Sequence, residues 1–248
     1  MKKQKSWKKI AVSAAIILVA AAGLAALIMW VGIPFINYGK AAALQDKGDI
    51  AGAYDAFDRM DGYRDSDARK DQLREEVIGS RTEGGMKFGA YEWLVLEERD
   101  GKALLLMKDV LEMRPYNEAL VDTDWESCTL RIYLNGPFYN SFKEEDRARI
   151  AGTAVINSDN AQYGMKAGND TRDHVFLLSL TEAKLYFADD ASRAARHKGA
   201  AAWWWLRSPG LDPILTAIVS SDGSLGYAGS GVNYTNRGVR PALWVTLP

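Results

Sequence analysis

The chain is short of the residues that most enzyme and metal sites are built from. One cysteine, Cys128, among 248 residues excludes an internal disulfide and any cysteine-based zinc or redox motif. Two histidines, His174 and His197, are too few for a histidine-rich metal site. No G-x-S-x-G elbow is present, and neither a G-x-x-x-x-G-K-[ST] nor a G-x-G-x-x-G phosphate loop. Excess charge of one sign is missing too: the net charge is −1, which gives no footprint for nucleic acid. Paired carboxylates such as Glu97-Glu98 and Glu144-Glu145 read as solvated faces. Cys128 falls in a helical pattern and reads as a small core residue. No catalytic residue, no metal ligand and no cofactor is expected. Short clusters, "NSDN" at 157–160 and "GND" at 168–170, offer oxygen ligands for a hard cation, but such clusters more often just make turns.

What is present starts at the N-terminus. Five lysines in residues 1–9 precede an uncharged apolar run over residues 10–35, with Trp7 and Trp30 near its ends. A run of this length spans a bilayer as one helix, which needs roughly 20 residues. Interfacial tryptophans and a basic cytoplasmic flank belong to such a helix. The expected location is therefore a single-pass cell-membrane protein with residues 1–9 in the cytoplasm and the C-terminal part outside. The rival is a cleaved signal peptide, whose apolar core is normally only about 7–15 residues.

Residues 37–79 read as two polar helices, with a break at Gly48-Asp49 and a cap at Ser66 or Asp67. The pattern from Ala41 through Phe57, then Gly62-Tyr63-x-Asp65-Ser66, resembles a single tetratricopeptide-like unit. One unit cannot bury the faces that stacked repeats bury. A spacer is the plain reading, and a peptide-binding groove the sharper one.

From residue 82 strands take over. "YEWLVLEERDGKALLLM" is a hairpin about Asp100-Gly101. Three capping boxes, Thr123/Glu126, Ser141/Glu144 and Ser179/Glu182, predict helices near 125–135, 143–150 and 182–187. "HVFLLSL" reads as a buried strand, "WWWLRSPG" as a strand with a Pro-Gly stop, and "TAIVSSDGSLGYAG" as a hairpin turning at 221–223. "GVRPALWV" is the last strand, with Pro241 placing an edge or bulge there. The fold class is α+β, with flanking helices and an antiparallel sheet.

The ordered blocks "FGAYEWLVLE", "ALLLMKDVLEMRPYN", "DWESCTLRIYLNGPFYNSF", "HVFLLSLTEA", "WWWLRSPG" and "GVRPALWV" cover nearly all of residues 82–248. Together they resemble a bacterial extracellular domain family of unknown function, common in Clostridia, whose hallmarks are WWLRSP and GVRPAL blocks. The resemblance implies a C-type-lectin-like fold shared with formylglycine-generating enzymes. The enzymes' cysteine pair has no counterpart here, and neither have the calcium-binding motifs of C-type lectins. In some relatives a retroelement diversifies the stretch between the two hallmark blocks, and that stretch binds ligands.

That stretch contains Leu211, Asp212, Ile214, Leu215, Tyr227, Ser230, Asn233, Tyr234 and Asn236. Tyrosine with small polar residues suits a recognition surface, and plain hairpin turns would use the same residues. Trp203, Trp204, Trp205, Arg207, Arg240 and Trp244 are the structural hallmarks. Strand alternation puts Trp203 with Trp205 on one face and Trp204 with Leu206 on the other, both core. Buried Arg207 and Arg240 must meet carboxylates or carbonyls, with Glu126, Asp173 and Glu182 as candidate acids. The expected function is non-catalytic recognition of an extracellular protein, peptide or glycan. The alternative is an envelope-associated scaffold or sensor that binds a partner through the helical spacer. The bilayer, through residues 10–35, is the other expected partner.

Overall fold

The computed structural model describes residues 21–79 and 84–248. The basic tail, the first part of the apolar run and residues 80–83 lie outside the described residues, and so does the expected domain start at 82.

From Ala21 to Asp46 the chain is one helix of 26 residues. It widens into a π-turn at Ile28–Gly32 and continues as α1, Ile33–Asp46. Pro34 falls in the first turn of α1, a position where its missing amide is tolerated. The length and composition of this helix suit a membrane anchor and a signal sequence alike. Gly48-Asp49 breaks the helix as the sequence suggests. Asp49 then caps α2, Ile50–Asp58, by accepting the Gly52 amide at 2.9 Å. Ala53, Tyr54 and Phe57 are buried, and Tyr38 of α1 meets Phe57 edge to face at 5.7 Å. With α3, Ser66–Gly79, there are three helices where two were expected, because the first carries straight on from the apolar run.

The division between two compact units falls inside α3, between Asp71 and Gln72. The second half of α3 belongs with the C-terminal unit for a visible reason. Leu73 and Val77 are buried, and Arg74 Nη2 donates to the carbonyls of Phe187 and Ala188.

Among the described residues the second unit holds two larger sheets and two short two-stranded ribbons. The strands β1 (Met86–Phe88), β2 (Tyr91–Arg99) and β3 (Lys102–Met107) form an antiparallel meander. Next come β4 (Glu112–Met113), the helix α4 (Thr129–Tyr133) and a π-turn at Leu134–Phe138. The helix α5 (Glu144–Arg147) precedes the paired strands β5 (Thr153–Val155) and β6 (Thr171–Asp173). Short helices α6 (Leu180–Leu185) and α7 (Asp190–Arg193) lead to the ribbon β7 (Ala195–His197) and β8 (Ala200–Ala202). The chain ends with β9 (Trp204–Pro209), β10 (Leu215–Val219), β11 (Leu225–Gly231), β12 (Gly238–Val239) and β13 (Ala242–Thr246). One sheet has the order β1-β2-β3-β13, the other β11-β10-β9-β12-β4.

The architecture is mixed helix and sheet, and several local expectations change. "GVRPALWV" is two strands, not one. At Arg240-Pro241 the chain leaves one sheet and enters the other, so the proline that cannot donate to a ladder sits between ladders. The second sheet is not wholly antiparallel, since β12 runs parallel to β9 with Gly238 opposite Trp204. "HVFLLSL" is buried but is no strand. The Asn135 side chain takes the His174 and Val175 amides at 2.8 and 3.2 Å, and Arg207 takes the Leu177 and Leu178 carbonyls. Side chains thus satisfy the His174 and Val175 amides and the Leu177 carbonyl, while the Leu178 carbonyl takes the Arg207 backbone amide and Phe176 forms an isolated bridge with Ala242.

Of the three expected capping boxes only Ser179/Glu182 forms. Thr123 instead donates its amide to the Pro213 carbonyl, and Ser141 Oγ donates to the Phe138 carbonyl. The expected helix at 125–135 is shorter. Asp124 draws residues 124–127 into a turn, Cys128 is extended at ψ 147°, and α4 begins only after it. Pro137, which lacks an amide, lies within the π-turn after α4.

Candidate recognition surface

The core of the second unit is aromatic. Trp93, Trp125, Trp204 and Trp205 are wholly buried beside Leu104, Leu105 and Leu106. Each indole N–H is paired: Trp93 to Phe88 O, Trp125 to Asp173 Oδ2, Trp204 to Arg193 O and Trp205 to Arg114 O. Trp203 departs from the expected pattern. It precedes β9 and is 38% exposed, so the triplet is two core residues and one surface residue. Its carbonyl accepts the Gly238 amide at 2.7 Å where β12 starts alongside. A side chain on Gly238 would strike that carbonyl and Val110, so only glycine allows the approach.

The two hallmark arginines are spent inside the protein. Arg207 is buried and engages all three of its guanidinium nitrogens. Nη1 and Nη2 fork onto Glu182, the carbonyls of Leu177 and Ile156 accept at 2.7 and 2.8 Å, and Nε reaches Asn157 Oδ1 at 3.1 Å. Of the three candidate acids, Glu182 holds Arg207. Asp173 serves Arg131 and Trp125, and Glu126 Oε2 accepts from Asn169. Arg240 meets no carboxylate among the described residues. It donates to the carbonyls of Met107, Lys108 and Arg193 at 2.9–3.1 Å, and its guanidinium lies 4.9 Å from the Trp204 ring centroid. Burial pushes this guanidinium down to about 10, with Asp109 pulling the other way, so it stays charged at neutral pH.

The surface residues gather around the β9–β10 turn and the β11–β12 loop. Leu211 is 47% exposed and Tyr234 is 50% exposed. Arg237 bridges Tyr234 to Trp203, its guanidinium carbon 4.7 Å from the Trp203 ring centroid and 5.5 Å from that of Tyr234. Asn236 Oδ1 accepts from Arg237 at 2.9 Å. Two polar atoms of this loop, Asn233 Oδ1 and Arg237 Nε, are buried without a hydrogen-bond partner among the described residues. The turn is joined to its neighbours by backbone bonds: Val232 N to Ile214 O, Asn117 N to Val232 O and Thr123 N to Pro213 O. The 117–123 segment thereby brings exposed Leu120 and Val121 beside the β9–β10 turn. Asp212 is exposed and its Oδ1 accepts the Ile214 amide. Leu215 and Tyr227 are half-buried strand residues, and Ser230 is buried. Ser230 and Leu215 therefore belong to the ladder more than to the surface.

Sequence reasoning missed Trp203, Arg237, Leu120 and Val121 as surface residues. The one available signal for Arg237 was its position in the loop between the hallmark blocks. Leu120 and Val121 lie far away in sequence, and the Asn117–Val232 and Thr123–Pro213 backbone bonds tie their segment to this surface.

A family model described as a domain of unknown function, DUF6273, matches residues 100–247. The chain belongs to the DUF6273 family. No curated protein and no solved structure matches it. The DUF6273 match begins at Asp100, in the turn after β2, although β1 and β2 pair into the same sheet. The fold unit thus extends N-terminal to the family match.

Other chemical groups of the DUF6273 domain are engaged locally. Asp170 and Asn169 tie to Asn157, and Asp159 holds Lys166 and the Ala167 amide. Among the described residues no group of three or more His, Cys, Asp or Glu side chains converges. Cys128 is buried, accepts the Arg131 amide with its sulfur and caps α4. Burial pushes its thiol up to about 12. His174 stacks on Tyr139 with ring centroids 4.4 Å apart.

Proposed function

We propose that the protein is a membrane-anchored, extracellular recognition protein. Its ligand, a protein, peptide or glycan, meets the surface built from the β9–β10 turn and the β11–β12 loop of a C-type-lectin-like domain. The observation that carries this reading is the exposed Trp203–Arg237–Tyr234 stack, set beside a buried acceptor and a buried donor that lack partners among the described residues. Stacked rings give contact area at low entropy cost, and an arginine held between them is already oriented. Orphaned polar atoms are rare in folded proteins and gain most from an incoming partner. The lectin-like assignment is supported by the looped path, in which β13 returns beside β3 of the first hairpin.

The alternative, a scaffold that binds through the helical spacer, needs an apolar surface on residues 40–78. Of the large hydrophobic side chains there, only Ile78 is exposed among the described residues. That contrast favours the DUF6273 domain as the binding part. The test is to probe glycan and peptide arrays with the full-length chain in detergent, then repeat with Trp203→Ser and Tyr234→Ser. Loss of bound features with unchanged thermal unfolding supports the reading, and unchanged binding refutes it. Retroelement diversification of the same loops goes with this proposal. A near-copy of the gene's 3′ end beside a reverse transcriptase is the arrangement expected.

A further inference from the structure

A cleft of about 200 Å³ opens at the end of the β2–β3 hairpin and shares no residue with the Trp203–Arg237–Tyr234 surface. The hairpin supplies Arg99, Asp100 and Lys102, the segment entering β5 supplies Ala151, Gly152 and Thr153, and β13 supplies Trp244. Its volume lies below the roughly 300–1,000 Å³ of drug-sized sites, so it fits one small unit.

Arg99 is held in place from two sides. Its guanidinium carbon is 5.6 Å from the Trp244 ring centroid, and Nε is 3.3 Å from Glu97 Oε1. Glu97 is buried, and its other oxygen accepts the Tyr186 hydroxyl at 2.6 Å. A register shift between Val95 and Glu97 in β2 accompanies this inward carboxylate. A guanidinium fixed in this way loses little freedom when it takes an anion, and its planar fork matches a carboxylate. Lys102 adds a second cation, while Asp100 is the one carboxylate lining the cleft. Arg172 also comes close, with Nε 3.6 Å from where a Cβ on Gly152 would stand. With Glu97 beside Arg99, three cations, Arg99, Lys102 and Arg172, stand against two carboxylates, Asp100 and Glu97.

We propose that this cleft binds the carboxylate of a small ligand, an acidic sugar unit or a peptide C-terminus, through Arg99 and Lys102. Calorimetric titration of the full-length chain in detergent micelles tests it. The probes are glucuronate and N-acetylalanine, each paired with a neutral counterpart, glucose and N-acetylalanine amide. At least one acid is expected to bind while its counterpart does not, and added salt should weaken that binding. The acid that binds names the source of the carboxylate. Lys102→Gln should weaken binding about two- to five-fold, and Asp100→Asn should tighten it. Both side chains are exposed, and the positive φ of Asp100, 51°, suits asparagine, so both variants should keep the wild-type unfolding temperature. Neither acid binding at tens of millimolar, equal binding of acid and neutral partner, or no change in either variant would overturn the proposal.

Discussion

Arg207 and Glu182 form a two-pronged ion pair, Nη1 to Oε2 and Nη2 to Oε1, that ties β9 to the start of α6. The same carboxylate accepts the Ser179 amide at 2.7 Å and so completes the capping box of α6. One glutamate thus caps a helix and neutralises a buried cation.

Truncating either side of this pair strands the other. Arg207→Ala should lower stability by about 3–5 kcal/mol, read by urea unfolding. Glu182→Gln should cost less, because glutamine keeps one acceptor for the capping bond, although it forfeits the charge and one prong of the Arg207 fork. If Arg207→Ala unfolds like the wild type and loses a ligand instead, Arg207 is a binding residue and its structural role is refuted.

Arg240 stands where the last strand passes from one sheet to the other. Arg240→Met keeps much of the apolar stem but takes the guanidinium donor from the Met107 and Lys108 carbonyls and leaves the Arg193 carbonyl with the Trp204 indole N–H. The expected loss is about 2–4 kcal/mol in thermal or urea unfolding. A variant as stable as the wild type would show that these carbonyls do not depend on the guanidinium.

Cys128 should resist thiol reagents in the native protein at pH 8 and react at once in denaturant. Its folded pKa, about 12, lies above the ordinary value of 9.0. The raised pKa therefore carries no penalty below pH 9, where both states hold the proton. Stability falls as the pH rises from 9 toward 12, because the unfolded thiol ionises first. Rapid native labelling at pH 8 would contradict the buried position.

The turn of the β10–β11 hairpin is sensitive to a single methyl. Gly223 has φ 89°, and a Cβ there would overlap the Asp190 carbonyl. Its own carbonyl accepts from Arg193 Nε at 3.0 Å. Gly223→Ala should therefore cost well over 1 kcal/mol, and Ser221→Ala two residues before it no more than about 0.5, by chemical unfolding.

The parts legible in the sequence were those decided locally. The two hairpins, the break at Gly48-Asp49 and the Ser179/Glu182 box arise from turn and capping chemistry within a few residues. The rest was decided by distant partners. Nothing near "HVFLLSL" says that Asn135 and Arg207 will take its backbone groups. Nothing near Thr123 says that its amide will go to Pro213. Alternation places Trp204 and Trp205 correctly in the core but fails at Trp203, because the strand begins one residue later. Pro241 signals an interruption, and only the tertiary fold turns that interruption into a change of sheet. The surface around Leu211 and Tyr234 was visible as composition; its geometry depended on Arg237 lying between two rings.

The most direct measurement is binding of the full-length chain to a glycan and peptide array before and after Tyr234→Ser, with thermal unfolding recorded alongside. A recognition surface at the β11–β12 loop predicts selective loss of bound features and an unfolding midpoint unchanged within the effect of about 0.5 kcal/mol typical of surface substitutions. Binding that survives Tyr234→Ser and Trp203→Ser, yet disappears on substitution within residues 40–78, would contradict it and move the binding site to the helical spacer.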